Sequence, residues 1–296
     1  MTTMTPAAAT ELFRKPPTHH IDVGAGEVAY RRVGSGPDVL FVHGWPAHGA
    51  TFRGLLPHLT PHVTCHVLDL VGAGHSRFDR TTPISLDRHI ESVRKVVDAL
   101  DLDDVAVVGH DSGGMIARHA LAGDERVRAM AFVDTELPPS VNWRFKQFLW
   151  MSALPGFGPM LAWAANHRLL RRNRFLLGDC FADRAVLDGE FSEFFLVPLR
   201  DDPLRQWAAV KLIRSFDLRR VAQLSGLHAQ IRVPVKLVWG TDDPFFPVEV
   251  ARRAVDSFAN ATLTEVPRGK LFVHEEFPEA VAKAMLPTLL GQPQGV

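Results

Sequence analysis

The most chemically loaded stretch of this 296-residue chain is Gly109-His110-Asp111-Ser112-Gly113-Gly114. It follows the apolar run Val105-Ala106-Val107-Val108 and leads into Met115-Ile116-Ala117-Arg118-His119-Ala120-Leu121-Ala122, the pattern of a strand, a sharp turn and a helix. Small residues two before and two after a central residue let strand and helix pack closely, while the central side chain stands exposed on a strained turn. Here that residue is Asp111, so the group presented is a carboxylate. A carboxylate is a weak nucleophile in water, but held dry and aligned it can displace a leaving group at carbon. Asp is also a favoured helix N-cap; a cap does not need glycines on both sides, which puts the nucleophile ahead. Shifting the frame by one makes Ser112 the nucleophile and sets the His110 ring where a small residue is called for, so Ser112 ranks behind Asp111.

The elements that must position this turn alternate along the chain. Residues 21–32 read as an edge hairpin turning at Gly24-Ala25-Gly26, and residues 39–42 as a strand buried on both faces. Residues 51–59 suit a helix and 63–68 a strand. Residues 86–100 carry a helical apolar stripe through Leu86, Ile90, Val93, Val96, Val97 and Leu100. Residues 127–133 read as a strand, after which the rhythm stops until 235–239. A strand at 261–266 and a final helix at 276–290 complete the pattern. Strand alternating with helix predicts an α/β fold with a mostly parallel sheet covered by helices on both faces. The expected organisation is a flexible arm over 1–20, a core over 21–136 and 231–290, an inserted helical cap over 137–230, and a frayed tail over 291–296.

Lys plus Arg and Asp plus Glu are both 33, so no net charge points to nucleic acid. Cys65 and Cys180 stand far apart, which reads as two free thiols in a reducing compartment, and residues 1–18 lack the apolar run of a signal peptide. A cytoplasmic protein is expected. Residues 147–167 contain no Asp, Glu, Lys or Arg, a length that could span a bilayer, but Pro155-Gly156-Phe157-Gly158-Pro159 breaks such a helix. Two short apolar helices covering a greasy pocket are the preferred reading, with a membrane span disfavoured. The basic run 168–174 reads as a solvated face of the cap. His58, His62, Cys65 and His66 have metal-like spacing, but Pro61 and the following strand keep them from converging, so no metal is expected. Gly72-Ala73-Gly74 lacks the further glycine and acid of a dinucleotide site, so no cofactor is expected.

The ordered motifs His43-Gly44-Trp45-Pro46, Asp69-Leu70-Val71-Gly72-Ala73-Gly74-His75-Ser76, Gly109-His110-Asp111-Ser112-Gly113-Gly114 and Gly240-Thr241-Asp242-Asp243 resemble the α/β-hydrolase superfamily. Within it the chain is most similar to the epoxide hydrolase and haloalkane or haloacetate dehalogenase branch, over about residues 20 to 290. The resemblance implies the α/β-hydrolase fold and an alkyl-ester mechanism: Asp111 attacks carbon, then a His–acid pair activates water to hydrolyse the ester. It further implies an oxyanion hole from the N–H groups of Trp45 and Ser112 and an acid at Asp243, with Asp242 as the neighbouring alternative.

The catalytic histidine departs from the pattern. Family members place it in a Gly-His-Phe-like stretch after the last strand, where this chain reads Gly269-Lys270-Leu271-Phe272-Val273-His274-Glu275-Glu276-Phe277-Pro278. Leu271 occupies the histidine position, or Lys270 if one insertion is allowed, and neither is a base at neutral pH. His274 is a candidate substitute if the loop is re-spaced; the competing reading is a surface helix residue. Without a base, hydrolysis loses roughly 10²–10⁴-fold. Three readings follow: a hydrolase rescued by His274, a non-hydrolytic or binding protein, or an inactivated variant. The single tyrosine, Tyr30, lies outside the cap, against the two cap tyrosines that epoxide hydrolases use. His43, His110, Trp143, Trp150, Trp163, Trp207 and Leu271 are the expected pocket residues. The expected partner is a small apolar molecule, and a homodimer stays open.

Overall fold

The computed structural model describes residues 4–292. Eight strands form one sheet in the order β1-β2-β4-β3-β5-β6-β7-β8. They are β1 (His19–Asp22), β2 (Glu27–Gly34), β3 (Asp38–Val42), β4 (Thr64–Asp69), β5 (Val105–His110), β6 (Val127–Val133), β7 (Val235–Gly240) and β8 (Ala261–Val266). Only the β1–β2 and β2–β4 pairs are antiparallel; β3 pairs with β4 and β5 in parallel, and the ladder stays parallel through β8. All six residues of β4 and of β5 are buried. Successive side chains point to opposite faces, so both faces of the central sheet are covered by helices.

Between β6 and β7 the described residues form only helical segments, including Trp143–Ser152, Phe157–Asn166, Arg168–Arg171, Pro203–Arg214 and Leu218–His228. The first two are separated at 153–156, where Gly156 takes a positive φ of 75°, while Phe157, Gly158 and Pro159 already form the first turn of the second helix. Among the described residues no helix is long and apolar enough to cross a membrane.

Two local expectations are corrected. The N-terminal arm is not loose: Pro6–Arg14 is a helix, with Thr5 as its capping residue, Pro6 in its first turn and Phe13 buried. Proline is tolerated there because a first-turn N–H has no intrahelical partner. Residues 51–59 are not one helix but a 3₁₀ turn, Gly49–Phe52, followed by the short helix Leu56–Leu59. The C-terminal tail falls largely on residues 293–296, outside the described residues.

The β5 strand enters the helix Ser112–Leu121 through a single residue, Asp111, at φ 50° and ψ −139°. A Cβ on Gly113 would lie 2.2 Å from the Val42 carbonyl oxygen and 2.5 Å from that of His43. One on Gly109 would lie 2.5 Å from Gly114 Cα. These are backbone contacts that cannot rotate away, so the glycines set how closely helix and strands meet. Gly113→Ala is therefore expected to destabilise the fold by about 1–3 kcal/mol, the usual cost of overpacking. A thermal melt at unchanged Tm would contradict this.

Candidate active site

Asp111 stands at the C-terminal ends of the parallel strands, buried, in a position its backbone reaches only through a sparsely populated conformation. Its side chain makes no N-cap hydrogen bond to the following helix. Instead the Trp45 N–H donates to Oδ2 at 2.9 Å, and the Ser112 N–H also donates to the carboxylate. Gly44 permits this approach, since a Cβ there would fall 2.4 Å from Asp111 Oδ2. Both donors named from the sequence thus lie at the Asp111 carboxylate. The Trp45 indole N–H donates to the Ala209 carbonyl at 2.9 Å, which ties this loop to the helix Pro203–Arg214 and removes that N–H as a free donor.

Asp111 faces a cavity of about 400 Å³ between the strand ends and the helices inserted after β6. The walls are apolar: Phe145, Phe148, Met151, Phe157, Leu161, Leu212, Phe216, Leu271 and Phe272 dominate. Polar side chains are few, among them Asp111, Ser112, Arg144 and Gln147. The Arg144 guanidinium is engaged by Asp179 at 2.8 Å. The size and character suit a small apolar molecule.

Three further carboxyl groups surround the site. Asp243 is buried, with Oδ1 accepting the N–H groups of Phe245 and Phe246 at 2.7 and 3.1 Å, while Asp242 is exposed on Thr241. Of the two adjacent acids, only Asp243 is buried. Asp134 and Glu136, at the end of β6, are fully buried and were not expected. Asp134 Oδ1 accepts from the Gly240 N–H at 2.9 Å, and Glu136 Oε2 from the Thr135 hydroxyl at 3.1 Å. Asp134 Oδ2, Glu136 Oε1 and Asp243 Oδ2 have no hydrogen-bond partner among the described residues. The sequence signal that could have found them is an Asp-x-Glu pair placed directly after a seven-residue apolar strand.

No imidazole reaches this cluster. His274 is fully buried rather than a surface residue, and its Nε2 lies 2.8 Å from the Thr51 hydroxyl. Its ring packs on Phe52 and His110, and no hydrogen bond joins it to Asp243 or Asp111. Leu271 stands in the wall of the cavity that Asp111 faces. Lys270 points elsewhere, onto Asp179 at 2.7 Å. His110 lies behind Leu271, donating Nε2–H to its carbonyl at 2.8 Å, and is no part of the cavity wall. His43 is likewise outside it: Nε2 accepts the Leu70 N–H and Nδ1–H faces the Gly44 carbonyl. Of the four tryptophans expected from the inserted helices, Trp163 lines the cavity; Trp143 and Trp150 are exposed, and Trp207 packs beside Arg80 and Lys211. Arg118 is fully buried on Gly114, Thr135, Glu136 and His228, away from the cavity.

Burial outweighs the cations and N–H groups near these carboxyls: Arg118 pulls Glu136 down and Lys270 pulls Asp243 down, yet all four acids are raised. Burial pushes Asp243 and Glu136 each up to about 7. Asp134 is raised well above the usual range, by burial and then by the charge of Asp243. Asp111 is raised too, by burial and then by Glu136, while the N–H groups of Ser112 and Trp45 pull it back down. An acid raised from about 4 in the unfolded chain favours folding below that value and loses its contribution as pH rises through about 7. The buried histidines act oppositely: His43 and His89 are lowered to about 4 by burial, so their penalty is relieved as pH rises toward 6.5. A variant isolates the acid. The stability of Asp243→Asn relative to the parent is expected to rise from about pH 5 to about pH 8. Denaturant titration at each pH reads this, and a pH-independent difference would contradict it.

Comparison with known proteins places the fold in a wider set. The alpha/beta hydrolase fold family matches residues 37–278. Over 114 residues the chain is 36% identical to the pimeloyl-(acyl-carrier protein) methyl ester esterase of Xanthomonas campestris pv. campestris, covering 38% of this chain and 39% of the esterase. The chain therefore spans about two fifths of the length of that relative. It is 25% identical over 277 residues to haloalkane dehalogenase 2 of Mycobacterium tuberculosis, covering 90% of this chain and 92% of that protein. The solved structure of the epoxide hydrolase CorEH shares the fold at a TM-score of 0.75 and 20% identity, covering 91% of this chain and 97% of that one. The matched span includes the Asp111 turn and the Asp243 loop, and the chain belongs to the alpha/beta hydrolase fold family.

Proposed function

We propose that the protein is a hydrolase-family enzyme in which Asp111 attacks an electrophilic carbon of a small apolar substrate, one bearing a halide or related leaving group. The observation that carries this reading is the Asp111 carboxylate at the wall of an apolar cavity, with two backbone N–H groups on it. In the first step an Asp111 oxygen forms a C–O bond as the carbon–halogen bond breaks, and the halide leaves with the electron pair. The helices after β6 act as a cap that keeps water from this step, which strengthens the attack. In the second step water adds to the Asp111 carbonyl carbon and gives up a proton to solvent, while the N–H groups of Trp45 and Ser112 stabilise the oxyanion. The intermediate collapses by breaking the bond from that carbon to the alkyl-bearing oxygen, which takes up a proton and leaves as the alcohol while the Asp111 carboxyl group is regenerated.

The second step lacks a base. Leu271 fills the position from which an imidazole would bridge Asp243 and the water, and Thr51 occupies His274. The ester is therefore long-lived, and the chain turns over slowly or retains its ligand. A non-hydrolytic, ligand-binding role on the same fold is the second reading, favoured by the raised pKa of Asp111, because a protonated carboxyl does not attack. A Ser112-based esterase is the third; its Oγ lies 3.4 Å from Asp111 Oδ2, with no imidazole on it.

Incubation with short haloalkanes, followed by peptide mass analysis, is expected to find the alkyl group on Asp111 and none in Asp111→Asn. Adduct formation is expected to become faster as pH rises, since the raised carboxyl must lose its proton before attacking. Leu271→His is expected to restore ester hydrolysis by about 10²-fold or more. Adduct absent at every pH, or present equally in Asp111→Asn, would overturn the proposal.

A further inference from the structure

The helices that cover the cavity carry an outer surface the chemistry does not use. Residues 142–178 contain six Lys or Arg and no Asp or Glu, in a chain whose charges balance overall. Large apolar side chains in this segment point to solvent. On the helix Trp143–Ser152, Trp143 and Trp150 are each 67% exposed, seven residues apart and so on one face, with Lys146 between them. On the helix Phe157–Asn166, Met160 and Trp163 are 43% and 62% exposed, three residues apart. Leu169 and Phe175 follow at 78% and 71%. These helices are packed together, with Phe148 against Phe157 at 5.8 Å.

A soluble surface spreads such residues singly; this segment holds seven of the eight large apolar side chains exposed among the described residues, together with its six cations. Arg168, Arg171 and Arg172 share one carboxylate, Asp188, which leaves the group positive. Lys146 and Arg174 are exposed, and the Arg174 guanidinium lies over the Phe175 ring at 5.7 Å. Exposed tryptophans interleaved with Lys and Arg suit the boundary between acyl chains and anionic headgroups. The patch is also continuous with the cavity: Met160, Trp163 and Phe175 belong to both its wall and the outer surface.

We propose that this face docks on an anionic lipid bilayer as a peripheral contact, so that the cavity receives its apolar ligand from the acyl-chain side. The contact is distinct from a span, which Pro155 and Pro159 prevent. A second copy of the chain is the competing occupant, but two such faces would bring two sets of unmatched cations together, whereas an anionic surface neutralises them.

Flotation of the full chain with phosphatidylglycerol–phosphatidylcholine vesicles tests this, compared with pure phosphatidylcholine vesicles and with the triple variant Trp143→Ser, Trp150→Ser, Leu169→Ser. None of these three residues lines the cavity, and all are exposed. Binding is expected to the anionic vesicles, weaker to the neutral ones, and about tenfold or more weaker for the triple variant. A second variant, Lys146→Glu with Arg174→Glu, is expected to lose anionic binding selectively, which keeps the test decisive if the first misfolds. Equal binding to both vesicle types, or undiminished binding by a folded variant, would overturn the proposal. So would an absence of binding by a chain that elutes as a dimer, with the triple variant monomeric. Vesicle binding is independent of Asp111 chemistry, so its failure leaves the proposed reaction standing.

Discussion

The structure turns on a backbone contact at the end of β5. Gly109, Gly113 and Gly114 let the helix Ser112–Leu121 press against the β3 exit loop, with no room for a Cβ between Gly113 and the Val42 and His43 carbonyls. That proximity is what brings the Trp45 N–H within 2.9 Å of the Asp111 carboxylate. It also holds Asp111 at positive φ, a conformation an Asp adopts at some cost. Everything chemically distinctive about the site follows from where this turn leaves one side chain.

The surroundings set what that side chain can do. Asp111, Asp134, Glu136 and Asp243 are all buried, and each has its pKa raised first by loss of solvent. An imidazolium among them would offset their charge; Leu271 adds only apolar surface. The N–H groups of Trp45 and Ser112 partly compensate at Asp111, and those of Phe245 and Phe246 at Asp243. Burying charge is costly, so the protonated form is favoured at each of the four acids.

Local motifs made part of this readable from sequence. A strand ending in Gly-His-Asp-Ser-Gly-Gly encodes its own turn, so Asp111 and the Ser112 N–H were legible, as were the alternating parallel elements. Trp45 and Asp243 followed from the order of motifs along the chain. Asp134 and Glu136 were missed because they follow β6 without a turn signature, and their burial depends on β7 and the 271–273 loop closing over them. His274 was misjudged because the helix Val273–Glu276 has four residues, too few for a periodicity to say which side faces inward. The tryptophans were assigned to the pocket by bulk alone; Trp143 and Trp150 lie outward because the helix Trp143–Ser152 turns Phe145 and Phe148 toward the cavity instead.

The central claim is that Asp111 attacks while Leu271 denies the ester its base. Counting halide released per protein chain, with a short haloalkane in excess, tests it most directly. The account predicts a burst approaching one equivalent of halide per chain, followed by a slow phase or none. Sustained release from the start at a constant rate, or no release at all, would contradict it.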